Sequence, residues 1–273
     1  MHQAGTRNGF SCHYESRDWR YDNQGKYKAF PMEAKNELVE SNENVPSLKY
    51  QGRKTSRAGS EQRRKAILEA ALRIVVREGV RGVRHRAVAK EANVPLSATT
   101  YYFKDISDLI TDTFTLFVEV GTEKYRSFWG ESLGRLSAAL KNIQTSPESR
   151  HQMIRVVIDA VFQYVCSQLH EHRDYLLAEQ AFRLESLRNE KLKSIACRHS
   201  EYMQSDLISF LWEAGSKAPE QDAALVVSVI LTAEYEGLLG CDGQFDEGQV
   251  YRIISRGIQA VLISVFEPAI TAH

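Results

Sequence analysis

The chain has 273 residues, enough to bury one or two hydrophobic cores, and its 43% hydrophobic and 26% charged residues are typical of a globular protein. No apolar run approaches the roughly 18 residues that a membrane span needs, and the polar N-terminus lacks the apolar region of a signal peptide. The composition therefore predicts a cytoplasmic protein with no membrane partner.

The net charge of zero hides an uneven distribution of charge along the chain. Residues 53–105 hold 13 basic and 5 acidic side chains, whereas residues 106–273 hold 15 basic and 23 acidic ones. Such an asymmetry is expected when one region meets a polyanion and the other does not. The alternative is an ordinary basic helix face exposed to solvent.

Motifs of catalysis and metal binding are absent from the sequence. It contains no HExxH, no GxSxG and no glycine-rich phosphate loop. The four cysteines, Cys12, Cys166, Cys197 and Cys241, lack CxxC and metal-ligand spacing, so we expect free thiols. We predict no enzyme activity, no cofactor and no metal site.

Helical periodicity begins after an irregular N-terminal region. Residues 1–59 are polar and non-periodic, and they predict a disordered extension with a basic end. Ser60 is then expected to cap a helix that Gly79 ends. Two short helices should follow at 84–92 and 96–103, joined by a turn around Asn93, a residue that tolerates a left-handed conformation.

Long helices with apolar positions at helical spacing fill the rest of the chain, and no strand pattern occurs. The predicted helices span 106–129, 131–145, 151–170, 174–188, 190–215, 219–239 and 247–266. The fold class is therefore all-α. Its predicted domains are a three-helix helix-turn-helix DNA-binding domain over 60–105 and a larger helical domain over 106–273.

The second short helix has an unusual composition for so small an element. A helix-turn-helix places its second helix in the major groove, where hydroxyls, aromatic rings and small side chains reach base edges. Ser97, Ala98, Thr100, Tyr101 and Tyr102 provide that set. The composition favours base recognition. The alternative is that Tyr101 and Tyr102 simply cover the edge of a core.

Three segments of residues 60–109 together resemble the TetR family of bacterial transcriptional regulators. They are "RRKAILEAALRIVVREG", "AVAKEANVP" and "ATTYYFKDISDLI", the last similar to a tyrosine-rich recognition helix that closes on Phe. The chain departs from the family at Asn93, where Gly is usual, and at Ile106, where a phosphate-binding Lys is common. The resemblance implies DNA contacts by Arg84, His85, Arg86, Leu96, Ser97, Ala98, Thr100, Tyr101, Tyr102 and Lys104, with Lys104 replacing the missing lysine.

The basic end of the extension offers a further contact with DNA. Arg53, Lys54 and Arg57 are suited to reach an adjacent minor groove or phosphates, as basic arms do. Solvated linker charge is the alternative.

The resemblance further implies a homodimeric repressor on a palindromic double-stranded DNA operator, released by a small-molecule effector, and therefore a location at the nucleoid when bound. The last two helices are the dimerisation candidates, through Val227, Ile230, Leu231, Ile254, Ile258, Val261 and Leu262. The alternative places both helices inside one domain.

The resemblance also implies that residues 106–273 form a ligand-binding and dimerisation domain, with a ligand pocket among the helices from 106 to 215. Its candidate residues are Tyr125, Phe128, Trp129, Arg155, Asp159, Phe162, Glu179, Phe182, Arg183, Tyr202 and Trp212. Each aromatic has the alternative of being plain core. A DNA-binding or scaffold protein that senses no ligand is the alternative function, and a C-terminal core without a cavity would favour it.

Overall fold

Helices make up the regular structure of the chain in a computed structural model, which describes residues 49–53, 58–141, 147–240 and 244–266. The described residues form nine α-helices and one short 3₁₀ turn and contain no strand. The all-α prediction is confirmed. None of the described helices is both long and apolar enough to cross a membrane.

The first three helices form a helix-turn-helix head. Helix α1 spans Ala58–Glu78, α2 spans His85–Glu91 and α3 spans Leu96–Tyr102. Asn93 lies in the turn with a φ of 52°, the left-handed conformation that the sequence predicted. Helix α1 begins two residues before the predicted start, so Ser60 is not its cap.

Charged side chains fasten α2 to α1. Glu91, at the end of α2, accepts hydrogen bonds from Arg77 at 2.7 Å and from Arg73 at 2.8 Å. Both hydrogen bonds lower the pKa of Glu91, to about 2, and the bond from Arg77 has the larger effect. The head is thus held together on its surface as well as through its apolar core.

Six longer helices form the body of the molecule. They are α4 (Ile106–Lys141), α5 (Pro147–Glu171), α6 (Arg173–Ser186), α7 (Glu190–Glu213), α8 (Pro219–Leu238) and α9 (Glu247–Phe266). Helix α9 packs on α5 and α8, and α7 packs between α4 and α8.

Two details of the body differ from the sequence prediction. A single helix, α4, runs through Gly130, where two helices were predicted, because the buried Trp129 and the partly buried Phe128 anchor that turn in the core. Pro147 begins α5, where the sequence predicted a break. Proline is tolerated at a helix start because the N–H that it lacks has no partner there.

Two hydrophobic clusters fill the interior. The body cluster joins α4 to α9, with Leu176 as the contribution of α6. The head cluster joins α1 to the start of α4, and it also takes in Phe182 from α6 and Leu192 from α7. Helix α1 packs directly on α4 and α6. The head therefore shares its core with helices of the body.

Residues 49–53 form a short strap that lies against the head and α4. The backbone N–H groups of Gln51 and Gly52 donate to the Asp112 carboxylate at 2.6 and 2.9 Å, and the Arg53 N–H donates to the Tyr102 carbonyl at 2.8 Å. A Cβ on Gly52 would lie only 2.9 Å from Phe103 and Asp112, so this close approach requires glycine. The prediction of disorder is wrong for these five residues, while residues 1–48 and 54–57 lie outside the described part of the chain.

Asp112 is the anchor of the strap. It lies on α4 with no solvent exposure, and burial raises its pKa, although the N–H donors of Gln51 and Gly52 oppose that shift. The Arg64 guanidinium lies 3.4 Å from the same carboxylate. Asp112 therefore connects the strap, α1 and α4.

We predict that Asp112→Asn releases the strap, because an amide side chain replaces one of the two acceptor oxygens with a donor. Loss of one hydrogen bond to a buried charged group should lower the free energy of unfolding by about 1.5–3 kcal/mol. Hydrogen exchange at the amides of Gln51 and Gly52 should accelerate. Asp159→Asn, on an exposed position of α5, is the control. Unchanged exchange at both amides would contradict the anchor role of Asp112.

Candidate DNA-facing surface and internal cavity

Helix α3 presents one polar face to solvent. Leu96 and Tyr101 are 42% and 52% exposed, and Ser97 and Thr100 are exposed beside them. Thr99 is fully buried, and its hydroxyl donates to the Leu96 carbonyl at 2.8 Å. The helical period therefore places Leu96, Ser97, Thr100 and Tyr101 on the exposed side of α3, where side chains can reach base edges, and Thr99 on the side that packs on the head.

Tyr102 belongs to the buried set, which corrects its predicted place among the DNA contacts. Its side chain is 4% exposed, and its hydroxyl lies 2.9 Å from the Ser60 hydroxyl. The alternative that the sequence left open, a tyrosine covering a core edge, holds for Tyr102 and not for Tyr101. The two rings meet edge to face with centroids 5.0 Å apart, so the buried tyrosine supports the exposed one.

Basic side chains flank this face. Arg84 and Arg86 are exposed at the start of α2, with His85 half-buried between them, and Lys104 is exposed just after α3. Ala98 is half-buried on α3. These residues stay candidates for contacts with phosphates and bases.

The strap reaches the same surface. The Arg53 guanidinium lies over the Tyr101 ring, 4.5 Å from its centroid, which is within the range of a cation–π contact. Of the three predicted arm residues, Arg53 thus lies next to α3. Lys54 and Arg57 lie outside the described residues.

A cavity of about 350 Å³ lies inside the body among α4–α8, with α9 contributing to its wall. Five predicted ligand residues line it, namely Tyr125, Trp129, Glu179, Phe182 and Arg183. Rings missed by the sequence analysis complete its aromatic wall, namely Phe114, Phe117, Tyr164 and Tyr175. Gly121 allows Tyr175 to approach α4, since a Cβ there would collide with the Tyr175 hydroxyl.

The other predicted ligand residues lie elsewhere, which corrects their assignment. Arg155 and Asp159 are exposed on α5 because they project from its outer side. Phe162 packs on Tyr251, Phe128 packs in the body cluster, and Trp212 is 45% exposed. The Tyr202 hydroxyl accepts a hydrogen bond from Arg126 at 2.6 Å instead of facing the cavity.

The side chains predicted to form the dimer interface point inward. Ile254, Ile258, Val261 and Leu262 are between 0% and 6% exposed in the body cluster of the single chain. Val227, Ile230 and Leu231 line the cavity, together with Ile258 and Leu262. Buried side chains cannot contact a partner, so the alternative of helices interior to one domain describes Ile254, Ile258, Val261 and Leu262. Val227, Ile230 and Leu231 are half-buried, and their place in an interface stays a prediction.

Acidic side chains lie at the apolar wall of the cavity. Glu234 on α8 is 3% exposed, and Glu179 on α6 is half-buried. Burial raises the pKa of Glu234 well above its ordinary value, the negative charge of Glu179 raises it further, and Arg183 partly opposes both. Burial likewise raises the pKa of Glu179, again opposed by Arg183.

Basic groups also line the cavity. Arg183 is exposed, and the Lys124 ammonium lies 5.2 Å from the centroid of the Tyr175 ring. Burial lowers the pKa of His199 to about 4, which leaves the imidazole neutral at neutral pH. The sequence analysis missed Glu234, Lys124 and His199. Helix α8 carries apolar residues on both its buried and its exposed sides, so no local pattern of the sequence distinguished the buried Glu234 from the exposed Glu236.

The wall of the cavity and the core of the head share three rings. Phe114, Phe117 and Phe182 line the cavity and belong to the head cluster. The centroid of the Phe182 ring lies 4.7 Å from that of Phe114 and 5.3 Å from that of Phe117. A ligand that moves these rings would act directly on the packing of the head.

Comparisons with known proteins identify local and overall likenesses. No protein-family model matches the chain. The helix-turn-helix transcriptional regulator PksA of Bacillus subtilis is 35% identical over 66 residues, which cover 24% of this chain and 32% of that protein. The chain thus spans about a third of the length of the curated relative it matches.

Solved structures are similar over most of their length. A protein from Saccharomonospora viridis, assigned as a transcriptional regulator and solved in complex with choline, has a TM-score of 0.53 and 15% identity, covering 73% of this chain and 96% of that chain. A protein from Rhodococcus sp. assigned to the TetR family of transcriptional regulators has a TM-score of 0.51 and 18% identity, covering 74% and 99%. At these identities the likeness shows a shared fold.

We predict that Glu234→Gln makes stability less dependent on pH. The folded-state pKa of Glu234 is raised above its ordinary value of 4.5, so its burial is tolerated best at low pH, where it is protonated. The wild type should lose stability relative to the variant as pH rises through that folded-state pKa. Urea unfolding at a series of pH values measures the difference.

Glu236→Gln is the matched control, because Glu236 is exposed on the same helix. It should follow the wild type at every pH. A constant difference between Glu234→Gln and the wild type would mean that the carboxyl of Glu234 does not titrate differently on folding.

Proposed function

We propose that this chain, which has the fold of the TetR family of transcriptional regulators, represses transcription as a homodimer bound to a palindromic DNA operator. A small molecule in the cavity would release it. The observation that carries the proposal is the set of three phenylalanines shared by the cavity wall and the head core. One structure thereby joins a surface suited to DNA with a site suited to a ligand.

The surface of the head supports a role in DNA recognition. Ser97, Thr100 and Tyr101 are exposed on α3 and offer hydroxyls and an aromatic ring to the edges of bases. Arg84 and Arg86 are positioned to contact phosphates, which fix the register of a protein on the duplex. The excess of basic residues in 53–105 supports the same role.

A dimer would supply the area that one head lacks, because a single helix-turn-helix buries too little surface for tight binding. With the inner faces of α8 and α9 buried in their own chain, their outer faces are the candidates for the interface. These faces carry exposed apolar side chains, each 36% exposed or more, namely Leu225 and Tyr235 of α8, Leu239 directly after α8, and Tyr251 and Ile263 of α9. Small exposed residues among them, such as Ser228, would allow close packing of four helices.

Ligand release requires a molecule that binds one arrangement of the heads better than the other. Helix α1 packs on both α4 and α6, the two helices that carry the shared phenylalanines. A ligand pressing on Phe117 or Phe182 would therefore shift the support of the head. The cavity supports this function over that of a DNA-binding protein that senses no ligand.

The test of the proposed function is recovery of genomic fragments by the purified protein at physiological salt, with sequencing of the retained DNA. A palindromic motif is the expected result. Uniform recovery without a motif would leave only nonspecific electrostatic binding, and the proposed regulator function would be wrong.

We predict that Tyr101→Ala weakens binding to the recovered operator by about 1–3 kcal/mol and changes binding to random DNA little, since it removes a contact that reads bases. Tyr102→Phe removes only a buried hydroxyl and should keep the preference for the operator. Fluorescence anisotropy with both DNAs measures the two affinities. Equal losses on operator and random DNA would show that Tyr101 does not read sequence.

For the dimer, we predict that Leu225→Asp yields monomers in sedimentation velocity, because it places a charge in the centre of an apolar interface. Leu184→Asp is the matched control, since Leu184 on α6 and Leu225 on α8 are both 54% exposed. Dimers that persist in Leu225→Asp would exclude this face as the interface.

A further inference from the structure

The charged groups of the cavity indicate what kind of molecule it accepts. We propose that the cavity binds an amphipathic organic cation, with its ammonium group beside Glu234 and Glu179 and its apolar part among the aromatic rings. This inference names the ligand class for the cavity of the proposed function. Its physical basis is that an acidic side chain of the cavity wall is more deeply buried than the basic ones.

Glu234 is the deepest charged group of the cavity wall. It is 3% exposed, and in the described part of the chain neither it nor Glu179 makes a hydrogen bond or an ion pair within 4.0 Å, while the charge of Arg183 is near enough to oppose the rise in the pKa of both. A buried carboxylate without a partner is costly, and a second carboxylate nearby adds repulsion. Burial and this repulsion both raise the pKa of Glu234. A bound cation would offset both effects.

The basic groups of the wall do not balance these acids. Arg183 is exposed, so its guanidinium stays hydrated. The half-buried Lys124 lies over the Tyr175 ring, and His199 is neutral because burial lowers its pKa to about 4. With Glu179 and Glu234, these are all the charged or titratable side chains of the wall other than its tyrosines. An anion would have to enter a space whose most deeply buried titratable group is a carboxyl group, which cannot supply a positive charge.

The aromatic wall suits the same ligand. Tyr125, Trp129, Tyr164, Tyr175 and Phe117 surround the cavity, and aromatic faces attract an ammonium group whose hydration has been removed. The position of Lys124 at 5.2 Å from the Tyr175 centroid shows that one of these rings already accepts a cation. A volume of about 350 Å³ accommodates one small ligand with an aromatic or alkyl part.

The experiment compares three probes of similar size by isothermal titration calorimetry at neutral pH in the absence of DNA. They are benzyltrimethylammonium, its uncharged carbon isostere neopentylbenzene, and phenylacetate. We expect the cation to bind at least about tenfold more tightly than the isostere, and phenylacetate to bind most weakly. Equal or tighter binding of either other probe, or no binding of the cation, would overturn the inference.

The variants assign the effect to the acids. Glu234→Gln keeps the size of the side chain and removes its charge, so it should weaken binding of benzyltrimethylammonium about tenfold or more and leave neopentylbenzene unchanged. Glu179→Gln should act in the same direction. Glu236→Gln, exposed on α8, should change neither affinity. If both cavity variants kept the affinity of the wild type for the cation, the inference would be wrong.

The calorimetry is independent of the proposed regulation, because it contains no DNA. Binding of the cation by a chain that selects no operator would support the ligand class and contradict the proposed regulator function. Selection of an operator by a chain that prefers the uncharged probe would contradict the ligand class alone. The two failures are therefore distinguishable.

Discussion

The contact between Phe182 and the two phenylalanines of α4 is the interaction on which the rest of the structure depends. Phe182 is 1% exposed, and it fills the space between α6, α4 and the helices of the head. Because the interior of a protein is closely packed, a change on the cavity side of these rings cannot be absorbed without movement on the head side. In the proposed regulation, this one layer of rings is enough to connect a ligand in the cavity with the helices of the head.

Helix α8 lies between the cavity and the protein surface. Its inner side carries Glu234 at the cavity wall, and its outer side exposes Leu225 and Tyr235. In the proposed dimer the ligand site and the subunit interface would lie on opposite sides of one helix. A cation that draws Glu234 and Glu179 together would then act on α8 and α6, and α6 supports α1.

The strap, residues 49–53, connects α3 and α4 although it is not part of any helix. Asp112 holds its backbone, and Arg53 lies over Tyr101, the most exposed ring of the recognition helix. The strap thus positions a basic group beside the surface proposed to read DNA. It also joins α3 to α4, the helix that forms one wall of the cavity.

The sequence by itself determined the all-α fold and the helix-turn-helix, because helical periodicity and turn residues are local signals. Five of the ligand residues that it predicted line the cavity, because they lie on the sides of α4 and α6 that face it. The inward direction of Ile254 and Tyr102, the docking of residues 49–53 and the burial of Glu234 were decided only by the tertiary structure. Apolar side chains suit an interior and an interface equally well, and a glutamate in a helix is compatible with either face. Which side is buried depends on how distant helices pack, and no local pattern contains that information.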